Sequence, residues 1–226
     1  MLKMKRTALR DRTLPNYTKG EEIFNMTTHI FGGVLGITYL VLCVITAAIN
    51  KNAYGVVSSA IYGASVIILF TMSSIYHGLK EGIAKKVFQI IDHCTIYIMI
   101  AGTYTPITLS AIRAIDPVSA WTLFGIVWLV AIIAMVFTAI DHNKFKIFSM
   151  ICYLGLGWFV VAFWNVTYKA IGFYGAVFLA LGGVLYTVGA VLYGVGKKKK
   201  YIHSLFHIFV DLASLMHFFC IIFYTL

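Results

Sequence analysis

Charge is what this sequence has least of. Only 12% of its 226 residues are charged, against 61% hydrophobic, whereas a soluble domain is about half apolar and about a quarter charged. A chain this apolar carries more greasy surface than one soluble domain of its length can bury. A water-soluble globular protein is therefore excluded, and a membrane protein is expected. Acid is scarcer still, with eight Asp and Glu against 18 Lys and Arg, for a formal net charge of +10. The basic residues fall in short separated clusters instead of along one face, so they read as topology signals and no nucleic-acid partner is expected. Cysteine is sparse too: Cys43, Cys94, Cys152 and Cys220 lie in apolar runs at spacings that match neither a zinc ribbon nor a secreted disulfide framework. They read as small buried hydrophobes. The polar N-terminus lacks an apolar core followed by an A-x-A type site, so no cleaved signal peptide is expected. Internal repeats, low-complexity tracts and any composition break that would mark a second domain are missing as well.

What is present is a series of apolar runs of about 20 residues, enough to cross some 30 Å of hydrocarbon at about 1.5 Å per residue. Seven such runs, near 27–49, 54–79, 89–112, 118–140, 145–167, 171–195 and 202–225, predict an all-α fold. The expected architecture is a seven-transmembrane helix bundle over 27–226, behind a cytoplasmic N-terminal tail of 1–26. Short connections make consecutive helices antiparallel neighbours, and Pro106 is expected to kink or shorten the third. Lys and Arg concentrate in the tail, in 80–88, in 141–146 and in "KKKK" at 197–200, while the other face holds only Lys51, Arg113 and Lys169. The positive-inside rule then sets the N-terminus in the cytoplasm and the C-terminus outside the cell. That orientation opposes the G-protein-coupled receptor arrangement, and the last run has no lysine for a retinal Schiff base. Neither of those seven-helix functions is supported.

Threading places the ionisable groups. The second helix delivers Ser73 and His77 to its cytoplasmic end, the third carries Asp92 and His93 about one turn in, and the seventh has His203 at its mouth with His207 a turn deeper. Steps of four residues return to one helix face, so His203, His207 and Asp211 form a stripe that must face the bundle interior. Three neutral imidazoles from two helices fill three corners of a zinc tetrahedron and leave the fourth to water, the arrangement of catalytic rather than structural sites. The ion's charge lowers the pKa of that water to about 7. Asp92 is then placed to hydrogen-bond the water, and Ser73, one turn before His77, to join the same shell or steady a substrate carbonyl. A hydrogen-bonded core network and a proton or ion path are the competing readings of the same stripe. The H-E-x-x-H glutamate of soluble zinc proteases is absent. His29, at the cytoplasmic end of the first helix, and His93 are expected at the interface or bonded to a neighbouring helix. His217 reads as a deeper interhelical hydrogen bond, and Asp141 and His142 as solvated loop residues.

The stretches "EEIFNMTTHIFGG", "SSIYHGL", "IDHCTIYIMIAGTYTPI" and "HSLFHIFVDLASLMHFF", in that order, resemble the progestin and adipoQ receptor family, and within it the bacterial hemolysin III branch. The resemblance covers nearly the whole membrane region. It implies a zinc site near the inner leaflet with His77, His203 and His207 as metal ligands and Asp92 acting through a bound water, in a wider group of membrane-embedded hydrolases of lipid amides that includes ceramidases. Asp211 departs from the pattern, which is apolar there, and the long extramembrane segments of the eukaryotic receptors are absent. The leading expectation is a zinc-dependent hydrolase of a lipid amide or ester in the plasma membrane, with Asp92 and Ser73 as catalytic residues, zinc as cofactor and a membrane lipid as substrate or ligand. The alternatives are a non-enzymatic cytolysin or lipid-homeostasis sensor, and a proton or ion pathway along His203, His207, Asp211 and His217.

Overall fold

The computed structural model describes residues 7–195 and 199–226, and among these every regular element is helical. The basic residues Lys3, Lys5, Arg6, Lys197 and Lys198, which carry part of the topology signal, lie outside the described residues. Six helices are long and apolar enough to cross a membrane: α1 (Lys19–Ile49), α2 (Ala53–Gly78), α3 (Ile83–Ile115), α4 (Pro117–Ile140), α5 (Lys146–Gly194) and α6 (Ile202–Tyr224). The two runs read as separate sixth and fifth spans are joined in α5, through a 3-10 segment at Phe159–Phe163 and a break at Gly172. Gly172 has φ 67° and ψ −176°, a region that only glycine occupies without strain. The Trp158 indole N–H donates to Thr187 Oγ1 at 2.9 Å across 29 residues, which an unbroken helix would hold about 43 Å apart. The chain therefore turns back at Gly172, and the two arms of α5 pack against each other.

α1 and α3 start before the onset of apolarity, and at α1 local capping is the reason. Thr18 and Glu21 form a reciprocal capping box, with the Thr18 N–H donating to Glu21 Oε2 at 2.8 Å and the Glu21 N–H donating to Thr18 Oγ1 at 3.3 Å. This starts α1 two turns before its apolar run. Pro106 neither ends nor shortens α3. Its ring removes a donor from the ladder, and the next residues re-register as a π-helix at Ile107–Ile112. The hydroxyls of Thr105 and Thr108 donate to the carbonyls of Ala101 and Tyr104, at 2.8 and 2.9 Å, which supplies alternative donors where the ladder is disturbed.

The bundle is apolar outside, and α1 turns its small and polar residues inward. Along α1, Ile30, Phe31, Val34, Ile37, Val41 and Ile45 are exposed, whereas Asn25, His29, Gly32, Gly36, Tyr39 and Cys43 are buried. That inversion is what lipid as solvent demands, because apolar side chains gain nothing by leaving hydrocarbon while polar ones must. α3 is the most buried helix and packs against α2 and α4, and α1 lies between α2 and α6. The start of α1, the end of α2 and the starts of α3 and α6 thus share one end of the bundle. At the other end, Asn52 Nδ2 donates to Ser110 Oγ, which donates to the Thr225 carbonyl, both at 2.7 Å.

Asp141 and His142 are buried, at 1% and 5% exposure, and not solvated as a loop position suggests. The segment before α1 covers them. The Thr7 N–H donates to Asp141 Oδ2 at 2.8 Å, and Arg12 donates from Nη2 to the Ile140 carbonyl at 3.1 Å. The His142 ring lies 4.0 Å from that of His93. Burial, reinforced by the nearby His93, Lys146 and Arg12, pushes the His142 imidazole down to about 2. Burial raises the Asp141 carboxyl, but the donors from Thr7 and Lys144 and the Arg12 charge outweigh it and leave the group below its ordinary range.

Candidate metal centre

His77 stands in the last turn of α2, and His203 and His207 in the first two turns of α6, where the i,i+4 spacing puts them on one face. Each offers a ring nitrogen, and the three donor atoms lie within 4.8 Å of one another, all buried. His203 Nε2 and His207 Nε2 are 3.1 Å apart. A tetrahedral zinc with bonds of about 2.0–2.1 Å sets its nitrogen ligands about 3.3 Å apart, so this pair already spans close to one edge of such a tetrahedron. The donor set of three imidazoles fits a borderline divalent transition ion, zinc among them, with one coordination position left over.

The His77 ring is fixed from behind. Its Nδ1 lies 2.6 Å from Glu22 Oε2, and the other oxygen of Glu22 pairs with Lys85 Nζ at 2.8 Å. Lys85 also donates to the Leu79 carbonyl at 2.9 Å. An Nδ1–H held by a carboxylate leaves Nε2 as the lone-pair nitrogen, the support that metal-binding histidines commonly carry. Glu22 was not singled out from the sequence. The available signal was its place in the α1 polar stripe, three residues before Asn25 and seven before His29. Tyr17 was missed too, and nothing in its neighbourhood announces it. Its ring stacks on His203 at 4.7 Å and 17°. Burial, with the nearby Tyr193, Glu22, Asp92 and Glu21, raises its phenol so that it stays protonated.

His29 lies deeper than expected. Because α1 starts at Lys19, His29 is about three turns in rather than at the helix end. It is buried with its ring 3.9 Å from that of His207 and 5.0 Å from that of Phe70. Asp92 is likewise about two and a half turns into α3 and not one, since the helix starts at Ile83. His93 bonds a neighbouring helix as expected. Its Nδ1–H donates to the Gln89 carbonyl at 2.7 Å, so Nε2 accepts from the Tyr193 hydroxyl at 3.1 Å. His217 Nε2–H donates across to the Leu179 carbonyl at 3.3 Å.

Asp92 and Ser73 are outside the convergent nitrogen set, but they line the same cavity as His203 and His207. The cavity measures about 170 Å³ and follows α3 from Asp92 to Ile107, with Leu179, Gly183 and His217 on its far wall. That stretch of α3 is about 22 Å long. Its lining is mainly apolar beyond the polar end. The arrangement puts histidines that could hold a metal ion at one end of a greasy slot, with a carboxylate and a hydroxyl in the lining of that slot.

A family model described as haemolysin-III related matches residues 17–218. "Hemolysin-3" of Bacillus cereus is 36% identical over 206 residues, covering 91% of this chain and 92% of that protein. The "Hemolysin-3 homolog" of Bacillus subtilis (strain 168) is 36% identical over 208 residues, covering 92% and 96%. The human "Monocyte to macrophage differentiation factor" is 26% identical over 209 residues, covering 89% and 83%.

Proposed function

The chain belongs to the haemolysin-III related family, and from that premise we propose that it is a zinc-dependent hydrolase of lipid amides or esters in the cell membrane, with His77, His203 and His207 as the metal ligands. The observation that carries this reading is the convergence of three buried imidazole nitrogens within 4.8 Å at the end of an apolar cavity. A structural histidine cluster has no need of such a slot, whereas its apolar lining and its length of about 22 Å suit an extended lipid acyl chain. Zinc bound there supplies Lewis acidity and a water acidic enough to react near neutral pH. The chain's own groups do the rest. Asp92 takes up a proton at its carboxylate, Ser73 donates its hydroxyl to the scissile carbonyl, and Glu22 keeps His77 turned towards the ion. Apolar walls along α3 orient the chain of the substrate and exclude bulk water.

The two arms of α5 count as separate passes in this reading, which gives seven spans with the N-terminus in the cytoplasm. The basic asymmetry between the two ends supports that orientation. It puts the histidines near the inner leaflet.

Metal analysis of purified protein from zinc-supplemented cells is the first test. About one zinc per chain is expected in the wild type, and far less in the His203→Ala/His207→Ala variant. Asp92→Ala should keep the zinc and lose about 10²–10⁴ in turnover on a panel of lipid amides and esters, followed by fatty-acid release. Wild type without bound transition metal would overturn the proposal.

A further inference from the structure

Beside the histidine cluster, where α1 meets α6, lies a set of polar side-chain atoms that the described residues do not satisfy. His207 Nδ1, both ring nitrogens of His29 and Asp211 Oδ1 are buried and have no hydrogen-bond partner among the described residues. Buried polar atoms are rarely left so, because each orphan has given up its hydrogen bonds to water without a replacement. Four of them in one place point to a ligand.

The four belong to one small space. His29 and His207 face each other across the α1–α6 contact with rings 3.9 Å apart. Asp211 is one turn beyond His207 on α6, and its carboxylate packs on Gly32, one turn beyond His29 on α1. A β-carbon at Gly32 would sit 2.6 Å from Asp211 Oδ1 and 2.7 Å from the Phe70 ring, so only glycine lets the carboxylate in. Phe70 also lies edge-on to His29 and closes the side. His207 and Asp211 stand one helical turn apart on α6, about 5.4 Å along the axis, a spacing that one water with two bonds of about 2.8 Å spans. The site is polar enough to hold such a molecule, since it offers two to four partners.

We infer that Asp211 is a positioning residue, and that it acts with His29 through a bridging water to hold the Nδ1–H of His207 and aim its Nε2 at the metal centre. The inference rests on the zinc reading above and extends it to a residue that touches neither metal nor substrate. Two of the three imidazoles are then backed by a carboxylate: His77 directly by Glu22, His207 through water by Asp211. It also gives a purpose to the one acidic group that the lipid-facing composition of α6 does not explain.

Zinc affinity by chelator competition is the direct test. Asp211→Leu should weaken binding about 10–100-fold and alter the visible spectrum of the cobalt(II)-loaded protein. Asp211→Asn, which keeps an acceptor oxygen, should lose less. Equal losses in the two variants, or wild-type affinity and spectrum in Asp211→Leu, would overturn the inference. A second measurement needs no metal: ¹⁵N-imidazole NMR should find His207 as the Nδ1–H tautomer in the metal-free wild type and a shifted tautomer balance in Asp211→Leu. An unchanged tautomer would overturn the role of Asp211. If the wild type takes up no zinc, the hydrolase proposal fails alone and the NMR result still decides this one.

Discussion

At the scale of single residues, the histidines were readable because each needs a reason to be in an apolar helix, and the i,i+4 pair His203 and His207 announces a face. Glu22 was not, since it lies before the apolar run of α1 where a carboxylate needs no excuse. Its position between His77 and Lys85 makes it a test of how the ring is held. Glu22→Gln keeps the shape and removes the charge, so zinc affinity should fall by about 10–100-fold in chelator competition. Heat stability should fall as well, because Lys85, at 3% exposure, becomes an unpaired buried cation. In Glu22→Gln/Lys85→Met the thermal midpoint should recover while the affinity stays low. Recovery of both would mean that Glu22 matters only for packing.

At the scale of elements, apolar run length located every membrane helix to within a few residues at its C-terminal end, since lipid thickness sets a minimum length that composition has to meet. N-terminal ends were less legible. α1 and α3 both begin about two turns before their apolar runs, α1 held by its capping box and α3 by packing at that end of the bundle without a side-chain cap. Those extra turns are why His29 and Asp92 lie about two to three turns from their helix starts. The reversal inside α5 depends on one residue. Gly172→Ala puts a β-carbon where φ is 67° and ψ −176°, a conformation that costs about 1–3 kcal/mol for other residues. A lower thermal midpoint in detergent is expected, with the Trp158 to Thr187 contact loosened and Trp fluorescence changed. An unaltered midpoint would mean that the turn relaxes into a conformation open to any residue.

At the scale of the whole molecule, the segment before α1 closes one end of the bundle. Tyr17 stacks on His203, while Thr7 and Arg12 tie the segment to the loop between α4 and α5. The buried His142 under it sets a pH dependence. Its folded-state pKa, about 2, is below the ordinary value near 6.5, so between these limits the unfolded chain binds a proton that the folded one does not. Stability is therefore highest above about pH 6.5 and falls as the pH drops towards 2. Asp141, also lowered on folding, adds a further loss below its ordinary value near 3.8. The thermal midpoint of the wild type should drop between pH 7 and pH 5, and His142→Phe should flatten that drop. An equal slope in the variant would place the sensitivity elsewhere.

Sequence alone determined the solvent, the helical class, the family resemblance and the identity of the three histidines. The first two follow from composition, the His203/His207 pair from spacing along one helix, and His77 and the resemblance from the order of the spans and motifs along the chain. Only the tertiary structure decided what stands behind the rings. Glu22 reaches His77 across 55 residues, and His29 faces His207 from a helix at the other end of the chain. Such pairings depend on which faces of α1, α2 and α6 turn towards one another, and helix packing sets that in three dimensions.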